Sequence, residues 1–283
     1  MKGSVFLKKQ YDAASERIWK SYQIYARHSF VLRSGHFLIG AAESPSTNNE
    51  ADESELIKKI FFERGESDLE HQAKMAWLCS VFANNYREYF FGADYFAKPS
   101  FDYLAEGAKT NYNQWMFTLL GLVHDTGEVV DIPDDGNALH GTNNAEELAA
   151  LQEFAEAYLS STSGFILSLF GNFQDRSTHE GKALFALDKL EAVLMLLYLE
   201  KHGCCGHITN KPSITERDKC TMDAIGATCA TDCWAAQMIE QIKKYPPEIL
   251  EPVLSLLNVA TIDVRGEKFP WLDKVLAMED PMF

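Results

Sequence analysis

The sequence lacks any apolar run long enough to cross a membrane. Its longest uninterrupted apolar stretch extends from Ala192 to Leu199, whereas a membrane-spanning helix needs about 20 such residues. Residues 1–16 also lack the sustained apolar segment of a secretory signal peptide. We therefore predict a protein that does not insert into membranes and that resides in the cytoplasm.

The sequence is also short of positive charge. It has 26 Lys and Arg residues against 41 Asp and Glu residues, and its formal net charge is -15 at pH 7. Duplex nucleic acids and anionic lipid surfaces attract proteins mainly through basic side chains that release counterions. This balance argues against both as nonspecific partners, although it allows a local basic pocket for one small anion.

The cysteines lack the spacing of a disulfide framework or of paired zinc ligands. The six residues include no CxxC pair, so we predict reduced thiols. One group could in principle supply thiolate and imidazole ligands to a zinc ion: Cys204, Cys205, His207, Cys220, Cys229 and Cys233. The last three equally fit positions on a partly buried helix, and we favour that interpretation over a second metal site.

Several familiar catalytic loops are missing as well. The sequence has no Walker phosphate loop, no GxGxxG dinucleotide loop and no GxSxG nucleophile turn. It therefore offers no support for the chemistries that depend on those loops.

The sequence does have apolar residues repeated every three to four positions, and 46% of its 283 residues are hydrophobic. This spacing is typical of amphipathic helices. It predicts an all-α fold with a helical domain over residues 11–202 and a helical C-terminal extension over residues 203–283. The predicted helical segments are 11–33, 53–63, 68–90, 112–130, 145–170, 179–201, 217–244 and 247–258.

One histidine interrupts an apolar helical face. On a helix, His71 shares its face with Met75, Leu78 and Phe82, at offsets of four, seven and eleven residues. The spacing therefore predicts that this imidazole points toward the protein interior.

A second histidine and two acids lie in similar surroundings. His124 shares a helical face with the apolar residues that precede it and is followed at once by Asp125. Asp188 has Leu184 and Phe185 one turn before it, and apolar residues follow it on the same face. Both segments predict polar groups directed into an apolar interior.

A shared metal ion would explain these inward polar groups together. A buried carboxylate without a partner costs several kcal/mol, and two imidazoles with two carboxylates suit zinc, manganese, iron, cobalt or magnesium. Taken one at a time, each residue is more simply a satisfied core histidine, a helix-end histidine or a salt-bridged acid. The joint pattern favours one divalent ion bound by His71, His124, Asp125 and Asp188.

These residues and their flanks resemble the HD-domain metal-dependent phosphohydrolases, whose signature is a helical His, a His-Asp doublet and a distant Asp. RGESDLEHQ at 64–72 is similar to the ESVAEHS-type segment of the 5′-deoxynucleotidase branch. LVHDTGEVVDIP at 122–133 is similar to its LxHDxxE…D segment, and ALDKLEA at 186–192 to its ADKLE helix. The resemblance covers roughly residues 28–202.

The resemblance implies an HD-domain helical bundle and a role for each matching residue. The four predicted ligands correspond to the family's metal ligands, and Glu128 to the residue that positions or deprotonates the attacking water. Asp131 matches a further acidic position only across a gap. Arg33 is the candidate for binding the substrate phosphate. Lys74 and Lys189 flank ligand positions, but we expect them to be surface ion-pair partners.

The implied activity is metal-dependent hydrolysis of phosphate monoesters, with (deoxy)nucleoside 5′-monophosphates as the first choice of substrate. A bound divalent ion would lower the pKa of a water molecule toward about 7. The same ligands also serve phosphodiesterases and guanosine-polyphosphate hydrolases. A non-catalytic, metal-stabilised helical interaction module is the alternative of another class. Relatives of this type often form dimers, so a homodimer is also an expectation.

Overall fold

The structure is a computed structural model, and its regular elements are helices. The structure describes residues 12–20, 22–23, 68–86, 112–124, 148–149, 151–153, 156, 163–174, 176, 179–203, 216–227 and 229–282. The helices with defined bounds are α1 (Asp68–Asn85), α2 (Tyr112–Val123), α3 (Ser163–Gln174), α4 (His179–Lys201), α5 (Glu216–Ile225), α6 (Ala230–Ile242), α7 (Pro247–Arg265) and α8 (Leu272–Ala277). Over these ranges no strand is formed, and the predicted all-α class is confirmed.

The prediction of a single helix over residues 217–244 is wrong. The structure has two helices there, because α5 ends before Gly226 and α6 begins at Ala230. Gly226 adopts a φ of 71°, and the amides of Gly226 and Ala227 both donate to the carbonyl of Met222, at 2.8 and 3.2 Å. This left-handed ending favours glycine, which has no β-carbon.

The C-terminal helices extend beyond the segments that periodicity predicts. Helix α7 continues to Arg265 rather than ending near residue 258, and α8 was not predicted. The polar Thr261 does not interrupt α7, because its hydroxyl donates to the carbonyl of Leu257 at 2.7 Å. Among the described residues, no helix is both long enough and apolar enough to span a membrane.

The chain divides into two compact units, one formed by residues 67–188 and the other by residues 1–66 together with 189–283. The predicted domain boundary after residue 202 stays a prediction, because these compact units need not coincide with the domains.

In the unit of residues 67–188, α1 packs against α2, and α2 packs against α3. The face of α1 that carries Met75, Leu78 and Phe82 is fully buried, as its spacing predicts. Phe117 and Leu120 of α2 are buried as well. These helices form the apolar surroundings in which the polar residues of the predicted site lie.

In the other unit, the N-terminal helical residues bond to the C-terminal helices. The indole of Trp19 donates to the Asp263 carboxylate of α7 at 2.8 Å. The Tyr22 hydroxyl donates to the Glu191 carboxylate at 2.7 Å, and both residues are almost completely buried. Residues 12–20, 22 and 23 belong to the same compact unit as α7 and the second half of α4.

An ion-pair network ties together α4, α6 and α7 of this unit. The Arg265 guanidinium donates to both carboxylate oxygens of Glu200, at 2.6 and 2.8 Å, and to Asp232 at 3.1 Å. Trp271 donates to the same Asp232 carboxylate at 2.7 Å. Charge-assisted bonds in a forked geometry hold helix ends in fixed positions.

Candidate metal centre

His71 lies in the first half of α1, and its side chain remains 20% exposed. The apolar residues that share its face are buried against neighbouring helices. Because side chains four residues apart lie above one another on a helix, the burial of Met75 directs His71 toward the edge of the same interior. The imidazole therefore lies at the border between the core and solvent.

His124 follows the last residue of α2, and its side chain is completely buried. Its Nδ1 atom lies 2.8 Å from the carbonyl oxygen of Gly121, one helical turn earlier. A carbonyl oxygen can only accept a hydrogen bond, so Nδ1 carries the hydrogen and donates it. In the neutral ring the lone pair is then on Nε2, which is the arrangement of a histidine metal ligand.

Asp188 brings the two imidazoles together. The Nε2 atom of His71 lies 3.2 Å from its Oδ1 atom, and the Nε2 atom of His124 lies 3.7 Å from the same oxygen. The two imidazole rings have centroids 5.3 Å apart. Asp188 is 8% exposed in the middle of the apolar helix α4, as its neighbours in the sequence predict.

The three residues have the chemistry and spacing for a divalent metal ion. Their donor atoms all lie within 4.8 Å of one another. Two donors that bind one ion at about 2.1 Å are about 3.0–3.4 Å apart at octahedral or tetrahedral angles. The separation of His71 from Asp188 falls in that range, and that of His124 from Asp188 is slightly wider. Among the described residues, no other group of His, Cys, Asp and Glu side chains has such spacing.

Two further residues of α1 help define the site's surroundings. Burial and the Asp188 carboxylate raise the pKa of the Cys79 thiol, which therefore stays protonated.

Lys74, one turn beyond His71, is completely buried. The expectation that Lys74 is a surface residue is wrong, because the folded protein covers its whole side chain. Sequence periodicity contained a signal for this, since Lys74 immediately precedes a buried methionine and lies four residues before Leu78.

Gly121 contacts the candidate site, although its place in the sequence did not single it out. It contributes its carbonyl to His124, and it packs against α1 where a side chain would collide. The only signal in the sequence was a glycine inside an apolar helical segment, which often marks a close approach of two backbones.

Four residues of the predicted site lie outside the described residues: Arg33, Asp125, Glu128 and Asp131. The same is true of Cys204, Cys205 and His207 in the cysteine-rich group. Cys220 is an exposed free thiol, whereas Cys233 is buried and contacts Asp218.

Comparison with known families gives one match. Residues 99–225 match the family model described as HD domain, which is less than half of the chain. The matched range includes His124, Asp125 and Asp188, and His71 precedes it. No curated protein matches the chain, and no solved structure matches it.

HD domains are generally metal-dependent phosphohydrolases. The match therefore supports an HD-domain family, an all-helical HD-domain fold and a small phosphate ester as the class of substrate. It supports the HD domain as a whole and no particular branch within it.

Proposed function

We propose that the protein is a divalent-metal-dependent phosphohydrolase that acts on phosphate monoesters, with (deoxy)nucleoside 5′-monophosphates as its substrates. One observation carries the proposal. His71, His124 and Asp188 come from three separate helical segments and place their donor atoms within 4.8 Å of one another. The match to the HD domain covers two of these residues and supports the same class of chemistry.

Two features of the described residues favour binding of a cation: the orientation of a histidine lone pair and a largely buried negative charge. The Gly121 carbonyl holds the Nδ1 hydrogen of His124, so the lone pair of Nε2 faces Asp188. The Asp188 carboxylate supplies negative charge in a largely buried position. A bound divalent ion would act as a Lewis acid toward the phosphoryl group and lower the pKa of a water molecule. The 20% exposure of His71 leaves the site an edge at which a substrate can approach.

The remaining roles are proposed from the sequence motifs. Asp125 follows His124 directly and would complete a set of four ligands. Glu128 would orient or deprotonate the attacking water, and Asp131 would assist in the same step. Arg33 would bind the phosphate oxygens, since a guanidinium can donate two parallel hydrogen bonds to them.

The choice of nucleotides rests on the flanks of the ligand residues. The segments 64–72, 122–133 and 186–192 are similar to those of the 5′-deoxynucleotidase branch in the same order. The net charge of -15 argues against a long polyanionic substrate and is compatible with a small one.

Metal analysis combined with Asp188→Ala tests the metal-dependent part of the proposal. We expect the purified wild-type protein to bind one divalent ion per chain and to release phosphate from deoxynucleoside monophosphates in Mn²⁺ or Co²⁺. Asp188→Ala should lose both properties while circular dichroism still reports a helical protein. Asp223→Ala, which removes an exposed acid of α5, is the matched control. An Asp188→Ala variant with wild-type metal content and turnover would refute the proposal.

A substrate panel tests the proposed specificity. The panel contains the deoxynucleoside and ribonucleoside 5′-monophosphates, a phosphodiester and a guanosine polyphosphate, each assayed with the same metal. Preferential release of phosphate from the monophosphates is the expected result. Preference for the diester or the polyphosphate would replace the nucleotidase assignment by one of these activities. Stoichiometric metal binding with no hydrolysis of any member would favour a metal-stabilised interaction module.

A further inference from the structure

Helices α1 and α2 lie close together at Gly121, three residues before the metal-site residue His124. A β-carbon added to Gly121 would lie 2.8 Å from the Cys79 sulfur, 3.0 Å from the Met75 carbonyl oxygen and 3.1 Å from the Met75 carbonyl carbon. Carbon atoms do not pack at such distances without displacement of their neighbours. A side chain at this position would therefore require the Cys79 sulfur and the backbone of α1 at Met75 to move.

The neighbours of Gly121 have little freedom to yield. Cys79 is fully buried, so its sulfur has few alternative positions. The two Met75 atoms belong to the backbone of α1 and can move only if the helix moves. A methyl group at position 121 would thus shift α1 relative to α2 by a few tenths of an ångström or more.

The two imidazoles are attached close to this point of contact. His71 precedes Met75 by four residues, which is about one helical turn. His124 follows Gly121 by three residues, and its Nδ1 donates to the Gly121 carbonyl at 2.8 Å. A displacement of the helices at Gly121 is therefore transmitted directly to the separation of His71 from His124.

We propose that Gly121 is a positioning residue that sets the spacing of the two histidines in the metal centre. The proposal deepens the proposed function and rests on it, because it assigns the glycine a role in metal binding. The bare Cα of Gly121 permits the close approach of α1, and its carbonyl fixes the ring of His124. Both effects act on the Nε2 atoms that face Asp188.

The energetics of helix formation strengthen the argument. Glycine inside a helix is less favourable than alanine. Gly121 therefore lowers the intrinsic stability of α2, whereas alanine would raise it. The collision with Cys79 and Met75 opposes that substitution.

Gly171→Ala provides a matched control. Gly171 is a helical glycine in α3 of the same unit, and a β-carbon added there would meet no atom within 4 Å. The substitution therefore changes helix propensity as Gly121→Ala does, but creates no collision.

The first experiment compares the affinity of wild type, Gly121→Ala and Gly171→Ala for Mn²⁺ and Co²⁺ by calorimetric titration. We expect Gly121→Ala to bind at least about tenfold more weakly, in the range found when groups that orient metal ligands are changed. Gly171→Ala should bind like wild type. Equal affinity in the two folded variants would overturn the proposal.

The double variant Cys79→Ala/Gly121→Ala addresses the possibility that Gly121→Ala does not fold. It removes the sulfur that a β-carbon would meet first, while the Met75 carbonyl oxygen remains at 3.0 Å. We expect it to fold and to bind metal more weakly than Cys79→Ala alone. Equal affinity of these two variants, or a double variant that is also unfolded, would assign Gly121 to the fold rather than to ligand spacing.

A second readout needs no metal. The ring ¹⁵N and ¹³C NMR signals of His71 and His124 report their contacts in the metal-free protein. We expect both sets of signals to shift in Gly121→Ala and to stay in place in Gly171→Ala. If wild type binds no metal, the proposed function fails, and the NMR comparison still decides whether Gly121 positions the histidines. Unchanged signals in a folded Gly121→Ala variant would overturn that positioning role.

Discussion

The Nε2 atom of His71 lies 3.2 Å from the Oδ1 atom of Asp188, so α1 and α4 meet through a polar contact at the edge of an apolar core. His124 faces the same oxygen from the position that follows α2. Without a cation, a hydrogen on Nε2 of His71 can bond to the Asp188 oxygen, but the lone pair on Nε2 of His124 still faces that same oxygen. With a divalent ion, all three donors share one partner. The stability of the folded protein should therefore depend on the metal.

We predict that Mn²⁺ stabilises the folded protein and that His71→Gln abolishes the effect. A ligand that binds only the folded state at about 100 times its Kd adds about 2.7 kcal/mol to the free energy of unfolding. Chemical denaturation with and without Mn²⁺ measures this increment, and a chelator should remove it from wild type. His179→Gln, at the start of α4, is the control and should keep the increment. A full increment in His71→Gln would contradict the assignment of this histidine as a ligand.

We predict that Arg265→Met destabilises the protein by about 3 kcal/mol, because the change leaves two partly buried carboxylates without the cation that pairs with them. Burial opposes the charge of Arg265, but the hydrogen bonds to Glu200 and Asp232 outweigh it and raise the pKa of the guanidinium. Urea denaturation measures the loss. The free energy of unfolding of Arg265→Lys should lie between those of wild type and Arg265→Met, because lysine keeps the positive charge but cannot donate two parallel hydrogen bonds to one carboxylate. Lys268→Met, at an exposed position, should have little effect.

We predict that the stability of Asp263→Asn falls less than that of wild type when the pH is lowered into the acidic range. Burial opposes ionisation of this carboxyl, but hydrogen bonds from Lys201, Trp19 and Gln23 outweigh it, so its pKa lies below the ordinary value. A group whose pKa is lowered by folding stabilises the protein above its unfolded pKa of about 3.9. That contribution is lost as the pH falls through the lower folded pKa.

Melting temperatures measured from pH 6 down to pH 2 test this relation. The difference between wild type and Asp263→Asn should be greatest near pH 6 and should shrink below about pH 4. A constant difference over the whole range would show that the variant acts through packing instead of through the charge.

We predict that Cys233 resists alkylation. Burial and the neighbouring Asp218 carboxylate raise the pKa of its thiol from 9.0 to about 12. At pH 8 its thiolate is therefore about a thousandfold scarcer than that of a thiol with the ordinary pKa. Iodoacetamide treatment at pH 8 with peptide mapping should label the exposed Cys220 first.

Unfolding the protein in urea should make Cys233 react readily with iodoacetamide, and this reaction serves as the positive control. Asp218→Asn removes one of the charges that disfavour the thiolate, so it should speed the labelling of Cys233 without matching the unfolded rate. Labelling of Cys233 as fast as Cys220 in the folded protein would contradict the prediction.

Much of the helical architecture was predictable from local periodicity. The segment 179–201 coincides with α4, and the segment 68–90 begins with α1. The pattern also identified His71, His124 and Asp188 as inward polar residues, because apolar neighbours at helical spacing mark the buried face. It could not find the break between α5 and α6, since the conformation of Gly226 depends on bonds to Met222 that have no signature in periodicity.

Taken by itself, the sequence determined the all-α class and the candidate ligands, because helix periodicity and the residue types next to it are local properties. The tertiary structure alone decided two things. It placed His71 and His124 around the same oxygen of Asp188, and it brought the backbone of α1 against Gly121. Each depends on the packing of segments far apart in the chain, where the distance between two backbones is set by side-chain shape.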